Sequence, residues 1–557
     1  MKTTWKQVAL GLGALALSGS VTGAYAAICG DVNGNGGLSF GDCVQLLDLA
    51  AGPPDPSPVC GGQPATQCGD LNANGSIDVG DAVVCLSTVA GNVTLFAPCS
   101  GPPSTPNCPS PGSTVTVSGN ITTNQRWGGG CEYLIDGTTF VNSGVTVTID
   151  AGTVVKGKSV AATPSALVFL RGSRINAVGT SASPIVFTSD KTPGTRGKGD
   201  WGGLVLNGRG QVNVPGGEGL AEGLSNIPYG ANPAVPNDNS GTVRFVRIEY
   251  AGRALTVDNE LNIFTLNGVG AGTQIDHVQA HYGLDDCIEW FGGNVNGKFL
   301  VASACGDDGL DWQLGFVGKV QYAMNFQNIC ANDTAAGSAS NGIEADNNEN
   351  GFTNLPYSDP SFCNITLVGS RGQSFSLNGS ACTDIGTGRG ILYRRGTEGH
   401  VYNAIVSGYQ DAGVRIESPE TTVHLCQPGG TIQASPDLTV ENSIFFNNGA
   451  SGLVQATCPS CGNCVDADTM WGVLHTSLGN EPTSRTSGGT DPSITEVWPP
   501  GPGVVPGIGT VPDTHAATDC STKDSFFDPT DYIGAFQPGQ PSWLSTPWIS
   551  FVIDGLS

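Results

Sequence analysis

Asp285-Asp286-Cys287-Ile288-Glu289-Trp290 returns 22 residues later as Asp307-Asp308-Gly309-Leu310-Asp311-Trp312. The offset holds at every acidic and aromatic position: Asp285/Asp307, Asp286/Asp308, Glu289/Asp311 and Trp290/Trp312. A third echo follows as Asn341-Gly342-Ile343-Glu344. A repeat this short that conserves its chemistry is the mark of a solenoid, in which each repeat is one turn of the chain packed on the next.

The flanking sequence has the same character. Short apolar or alternating runs recur between Gly and Asn turns, as in Val145-Thr146-Val147-Thr148-Ile149, Ala166 to Leu170, Pro184 to Thr188, Leu204 to Asn207 and Arg244 to Tyr250. Gln274 to Val278, Lys298 to Ala302 and Lys319 to Ala323 start about 22 residues apart, the length of a coil built of about three short strands. A β-sandwich array would need longer strands and does not account for that period. The expected fold class is therefore mainly β: a right-handed parallel β-helix over residues 113–557, with a Cys-rich excursion at about 456–520. No long amphipathic helix is expected beyond residue 113.

In such a coil the repeated carboxylates would stack about 4.8 Å apart. Ionised neighbours at that distance repel strongly in a dry site. Three readings of Asp285, Asp286, Glu289, Asp307, Asp308, Asp311 and Glu344 follow. They hold Ca²⁺; or Asp286, Asp308, Glu289 and Asp311 supply a catalytic acid/base pair; or the residues form a solvated stripe whose Asp and Asn cap turns. Trp290 and Trp312 would be either sugar platforms or an aromatic stack inside the coil.

The N-terminal fifth is different. Met1 to Lys6 is positively charged, Val8 to Leu17 is apolar, and Ala24-Tyr25-Ala26 fits a signal-peptidase site, so residues 1–26 read as a cleaved export signal. No later stretch reaches transmembrane length. The chain carries a net charge of −25, which disfavours nucleic acid and suits cations. Its composition, 82 Gly among 557 residues with only 13% charged, is that of a turn-rich β protein. All 18 Cys follow the leader, and in an exported chain they are expected as disulfides, including Cys458, Cys461 and Cys464, whose spacing is the other pattern a metal would use. The expected location is secreted, extracellular or at the cell surface.

Residues 27–99 contain an internal repeat. Its first half is Asp31-x-Asn33-x-Asn35-Gly36-Gly37-x-Ser39-x-x-Asp42; its second is Asp70-x-Asn72-x-Asn74-Gly75-Ser76-x-Asp78-x-x-Asp81. Side-chain oxygens fall at loop positions 1, 3, 5, 9 and 12, Gly36 and Gly75 permit the sharp turn, and the carbonyls of Gly37 and Ser76 complete the set a hard cation requires. The second loop carries three carboxylates and the first two, so the second should bind Ca²⁺ more tightly. Apolar stretches fit for helices follow each loop. This pair of EF-hand-like loops closely resembles type I dockerins. The resemblance implies Ca²⁺ as the cofactor and a cohesin-like protein or other surface scaffold as partner. Phe40-Gly41 and Val79-Gly80 replace the Ser-Thr pair with which dockerins often recognise cohesins. Residues 100–112, rich in Pro and Ser, read as a stiff linker.

The segments 166–181, 184–191, 200–209 and 247–252 resemble secreted bacterial β-helix proteins of unassigned function. Gly399-His400 and Arg415-Ile416-Glu417 only partly match the G-H-G and R-I-K elements of polygalacturonases. The expected function is a polysaccharide-binding or polysaccharide-processing component, a lyase or glycosidase if an enzyme; the alternative is a non-enzymatic adhesion protein.

Overall fold

The chain divides into two units, 1–101 and 102–557. The computed structural model describes residues 107–457 and 517–555, except 129, 161–162, 225, 257–258, 328–329, 331–339, 371–375, 383–387, 428–430, 433–436, 450–453 and 538. The loops expected to bind Ca²⁺, the expected export signal and the Cys458-Cys461-Cys464 cluster lie outside the described residues.

The second unit is a parallel β-helix. One sheet stacks 11 strands from Asn120–Ile121 to Val454–Thr457; a 15-stranded sheet includes the path from Thr114–Val117 to Leu438–Glu441. Every ladder between successive coils is parallel. Among the described residues the one α-helix is the short Pro419–Thr422. No helix there is long and apolar enough to cross a membrane.

The strand bend is written into the backbone. The long strands Gly241–Glu249, Gln274–His281, Asn296–Ser303, Lys319–Phe326, Ser361–Val368 and Gly399–Ser407 each contain one residue in the left-handed region: Phe245, His277, Phe299, Tyr322, Asn364 and Asn403. The registers skip these positions, so each long strand serves two faces of the coil. Left-handed backbone is unfavourable for aromatic residues, and stacking along the column offsets that cost: His277 lies 4.3 Å from both Phe245 and Phe299, and Phe299 lies 4.8 Å from Tyr322.

The 22-residue period holds where the motif repeats, with Gln274 opposite Asn296 and Glu289 opposite Asp311. Elsewhere coils carry insertions: Asp311 opposes Glu344, 33 residues on, and Ser361 opposes His400, 39 on. The register survives because inward residues continue one apolar core from Val117 to Phe445.

The C-terminal segment runs back along the outer face. Gln279 Nε2 donates to the Ser550 carbonyl (2.6 Å) while its Oε1 accepts the Ser550 N–H (2.9 Å). Gln321 makes the same pair of bonds with Asp528, and Asn403 with Thr518. Cys363–Cys520 pins this strap, and Cys108–Cys131, Cys287–Cys305 and Cys330–Cys382 are the other disulfides among the described residues.

Candidate functional site

The repeated motif forms a buried acidic column. Alternation along Ile288–Phe291 and Leu310–Gln313 sends neighbouring side chains to opposite faces. Trp290 and Trp312 point inward and are 2% and 0% exposed. Trp290 stacks on Phe316 at 5.3 Å, and Trp312 Nε1 donates to Thr397 Oγ1 at 3.1 Å. These indoles are core, not sugar platforms.

Glu289, Asp311 and Glu344 take the opposite face and oppose one another in register. They are not solvated: their exposures are 4%, 6% and 8%. The cover includes the excursion between Gly203–Asn207 and Gly241–Glu249. Its Val212, Ala221, Leu224 and Tyr229 pack with Phe291 and Leu314, and Glu222 and Tyr229 lie close enough to Glu289 to act on each other's ionisation.

Asp286 and Asp308 stand at the turns before these strands, also buried. Asp286 Oδ1 accepts the Asp308 N–H at 2.7 Å, and Asp308 Oδ1 accepts the N–H of Asn341. Asn341 Oδ1 in turn accepts the Arg389 N–H at 3.2 Å. Each side chain therefore caps the equivalent turn of the next coil. Gly309 and Gly342 are tightly enclosed: a Cβ on Gly309 would meet the Asn325 amide at 2.5 Å, and one on Gly342 the Tyr409 hydroxyl at 2.4 Å. Asp285 and Asp307 are half-buried at the edge of the column.

Burial, followed by neighbouring carboxylates, pushes the Asp286, Glu289 and Asp311 carboxyls well above their usual range. Burial raises Asp308 to about 6 against the opposing pull of the Asn341 N–H and Arg394. It raises Asp346 to about 7 against Arg395. Arg394 bonds Glu344 and reaches Asp346 Oδ1 at 2.9 Å; Arg395 reaches Asp346 Oδ2 at 2.7 Å. These guanidiniums serve the Glu344–Asp346 end of the column. At the other end Glu289 receives neutral amides, from Gln313 at 2.8 Å and from Asn262. Asp311 Oδ1 is buried with no hydrogen-bond partner.

Two carboxylate triads share that residue. One oxygen each from Asp286, Glu289 and Asp311 lies within 4.8 Å of the others, and the same is true of Asp308, Asp311 and Glu344. Asp285, Asp286 and Asp307 form a third group at the edge. An all-oxygen, multiply anionic donor set fits a hard divalent cation such as Ca²⁺, which would satisfy the orphan oxygen and favour the ionised forms.

Residues 119–466 match the pectate-lyase like beta helix domain. The chain belongs to this family. No curated protein and no solved structure matches it.

In this pectate-lyase-like domain the remaining sequence candidates lie apart from the column. His400 bonds Thr439, and Arg415 pairs with Glu417 and Asp411. His281 is buried between Ser303 and the Val552 carbonyl, and His277 bonds Asp276. A cavity of about 350 Å³ opens elsewhere, between the aromatic column and the strap, lined by Phe299, Tyr322, Asp528, Phe536 and Trp543. Sequence reading missed Asp346, Arg394, Arg395 and the covering excursion. Asp346 was in reach, since Glu344-Ala345-Asp346 continues the alternation of Ile343. The arginines and the cover arrive on coils of 48 and 60 residues, which no fixed period reveals.

Proposed function

We propose that this chain is an exported, calcium-dependent β-helix protein with a polysaccharide-binding role, in which the buried column holds Ca²⁺ as a stiffening element. The observation that carries this reading is the orphan Asp311 oxygen at the junction of two buried carboxylate triads. A catalytic pair needs access to substrate. Asp286 and Asp308 are 7% and 3% exposed and have an oxygen committed to backbone N–H groups, which favours a structural cation site over a lyase or glycosidase centre. Membership of a pectate-lyase-like family supports the polysaccharide side of the reading. The disulfides support an oxidising, extracellular setting. The dockerin-like repeat of residues 27–99 would then bind further Ca²⁺ at Asp31, Asn33, Asn35, Gly37, Ser39 and Asp42 and at Asp70, Asn72, Asn74, Ser76, Asp78 and Asp81, and attach the protein to a cohesin-like or other surface scaffold.

The test compares the full chain with Asp311→Asn. Ca²⁺ should raise the melting temperature of the wild-type β-helix unit, and the variant should lose that component while the N-terminal loops still bind. Equal stabilisation of both would remove the column as a site. Reducing ends or unsaturated uronate released from acidic polysaccharides, and lost in Asp286→Ala and Asp308→Ala, would replace the binding reading with an enzymatic one.

A further inference from the structure

A second acidic column runs through the later coils, at a period the 22-residue repeat conceals. Ser361, His400 and Thr439 are register partners, 39 residues apart at each step. Two residues before each of them stand Asp359, Glu398 and Asp437. The chain thus places three carboxylates at the strand entrances of three consecutive coils.

An imidazole enters this column. His424, on the turn that follows Pro419–Thr422, is 6% exposed, and its Nδ1 lies 3.0 Å from Glu398 Oε1. One ring nitrogen of His424 and one oxygen each of Glu398 and Asp437 lie within 4.8 Å of one another. Main-chain bonds fix the three residues relative to each other. The His424 carbonyl accepts the Asp437 N–H and the Asp437 carbonyl accepts the Gly399 N–H, both at 3.0 Å. Tyr357 packs edge-on against the imidazole at 4.7 Å. Such support of a ligand set by neighbouring groups is what holds metal-binding histidines in position.

The column also leaves polar atoms without hydrogen bonds. His424 Nε2 and Asp359 Oδ1 are both buried and make no hydrogen bond. Asp359 Oδ1 sits 3.5 Å from His400 Nε2. Burial raises the Asp359 carboxyl, and the nearby Glu398 and Asp437 raise it further against the opposing pull of His400. A simple His424–Glu398 ion pair explains neither the convergence of Asp437 nor the orphan nitrogen.

We propose that Glu398, His424 and Asp437 form a binding site for a divalent transition-metal ion of the Zn²⁺ class, with Asp359 as the adjacent carboxylate. Mixed imidazole and carboxylate donors select a borderline cation, where the all-oxygen column at Asp311 suits a hard one. Three protein ligands leave a position open, and Asp437 is exposed, so the ion would be reachable from solvent.

The test is a titration of the metal-free full chain with Zn²⁺ in saturating Ca²⁺, on wild type, His424→Gln and Asp437→Asn. The expected result is one Zn²⁺ equivalent that disappears in His424→Gln and weakens at least about tenfold in Asp437→Asn, since loss of a ligand costs no less than loss of a group that merely orients one, about tenfold. The melting temperature in Ca²⁺ alone should stay unchanged in Asp437→Asn, which makes that exposed substitution decisive if His424→Gln proves unstable. Identical Zn²⁺ stoichiometry and affinity in wild type and Asp437→Asn, or no Zn²⁺ bound by wild type, would overturn the proposal. Neither result bears on the Ca²⁺ response assigned to Asp311.

Discussion

Asp286 Oδ1 accepts the backbone N–H of Asp308, its own equivalent one coil later, at 2.7 Å. The side chain of one repeat thus fixes the main chain of the next, and the register of the ladder is held by the residues that supply its charge. Asp286→Ala would leave the buried Asp308 amide unsatisfied, at a cost of about 1–3 kcal/mol. Hydrogen exchange at that amide should accelerate about tenfold to a hundredfold. Asp286→Asn keeps an acceptor and removes a charge, so it should exchange like wild type without Ca²⁺. Equal acceleration in both variants would show that the charge, not the hydrogen bond, matters.

The buried carboxylates set the sign of the pH response. A carboxyl whose pKa is raised by folding holds its proton in the folded state after the unfolded chain has released it. Its contribution to stability is therefore greatest at low pH and is lost as pH rises from the ordinary 3.8 to the folded value, about 6 for Asp308 and about 7 for Asp346. In chelator, the unfolding free energy of the β-helix should fall across this window, with a slope of up to about 1.4 kcal/mol per pH unit for each such group, and the melting temperature with it. Ca²⁺ binds the ionised form, so its stabilising effect should grow over the same window. A melting temperature that rises with pH in chelator would contradict the burial of this column.

The strap is held by amide side chains that bond to its backbone in both directions. Gln279 is 0% exposed and makes both bonds with Ser550. Gln279→Ala should leave two buried backbone groups unpaired and loosen the chain end locally, leaving the packing of Trp548 and Phe551, the Tyr250 and His281 bonds to the Val552 carbonyl and the Arg196–Asp554 pair to hold it. Limited proteolysis should then cut within residues 540–555 while the rest of the coil resists. A protected C-terminus in the variant would assign the strap's stability to these other anchors rather than to Gln279.

The two loops proposed to bind Ca²⁺ differ in charge, three carboxylates in the second against two in the first. Asp70→Ala should therefore cost more Ca²⁺ affinity than Asp31→Ala in an equilibrium titration of the full chain. Equal losses would show that loop charge does not set their order.

The sequence by itself determined the solenoid and the existence of the acidic column. Both rest on local spacing: alternation places every second side chain on one face, and a 22-residue offset stacks Glu289 on Asp311 and Trp290 on Trp312. Which face is which was not legible, because acidic and aromatic residues alternate and either set could have pointed outward. Only the tertiary structure decided that the indoles fill the core and that the outward carboxylates are themselves buried, since the excursion carried by a 60-residue coil folds over them. The same holds for Arg394, brought to Glu344 by a 48-residue coil, and for His424, delivered by a turn to carboxylates 39 residues apart. Contacts between coils of unequal length depend on how much chain each coil ejects, and that is a property of packing rather than of period.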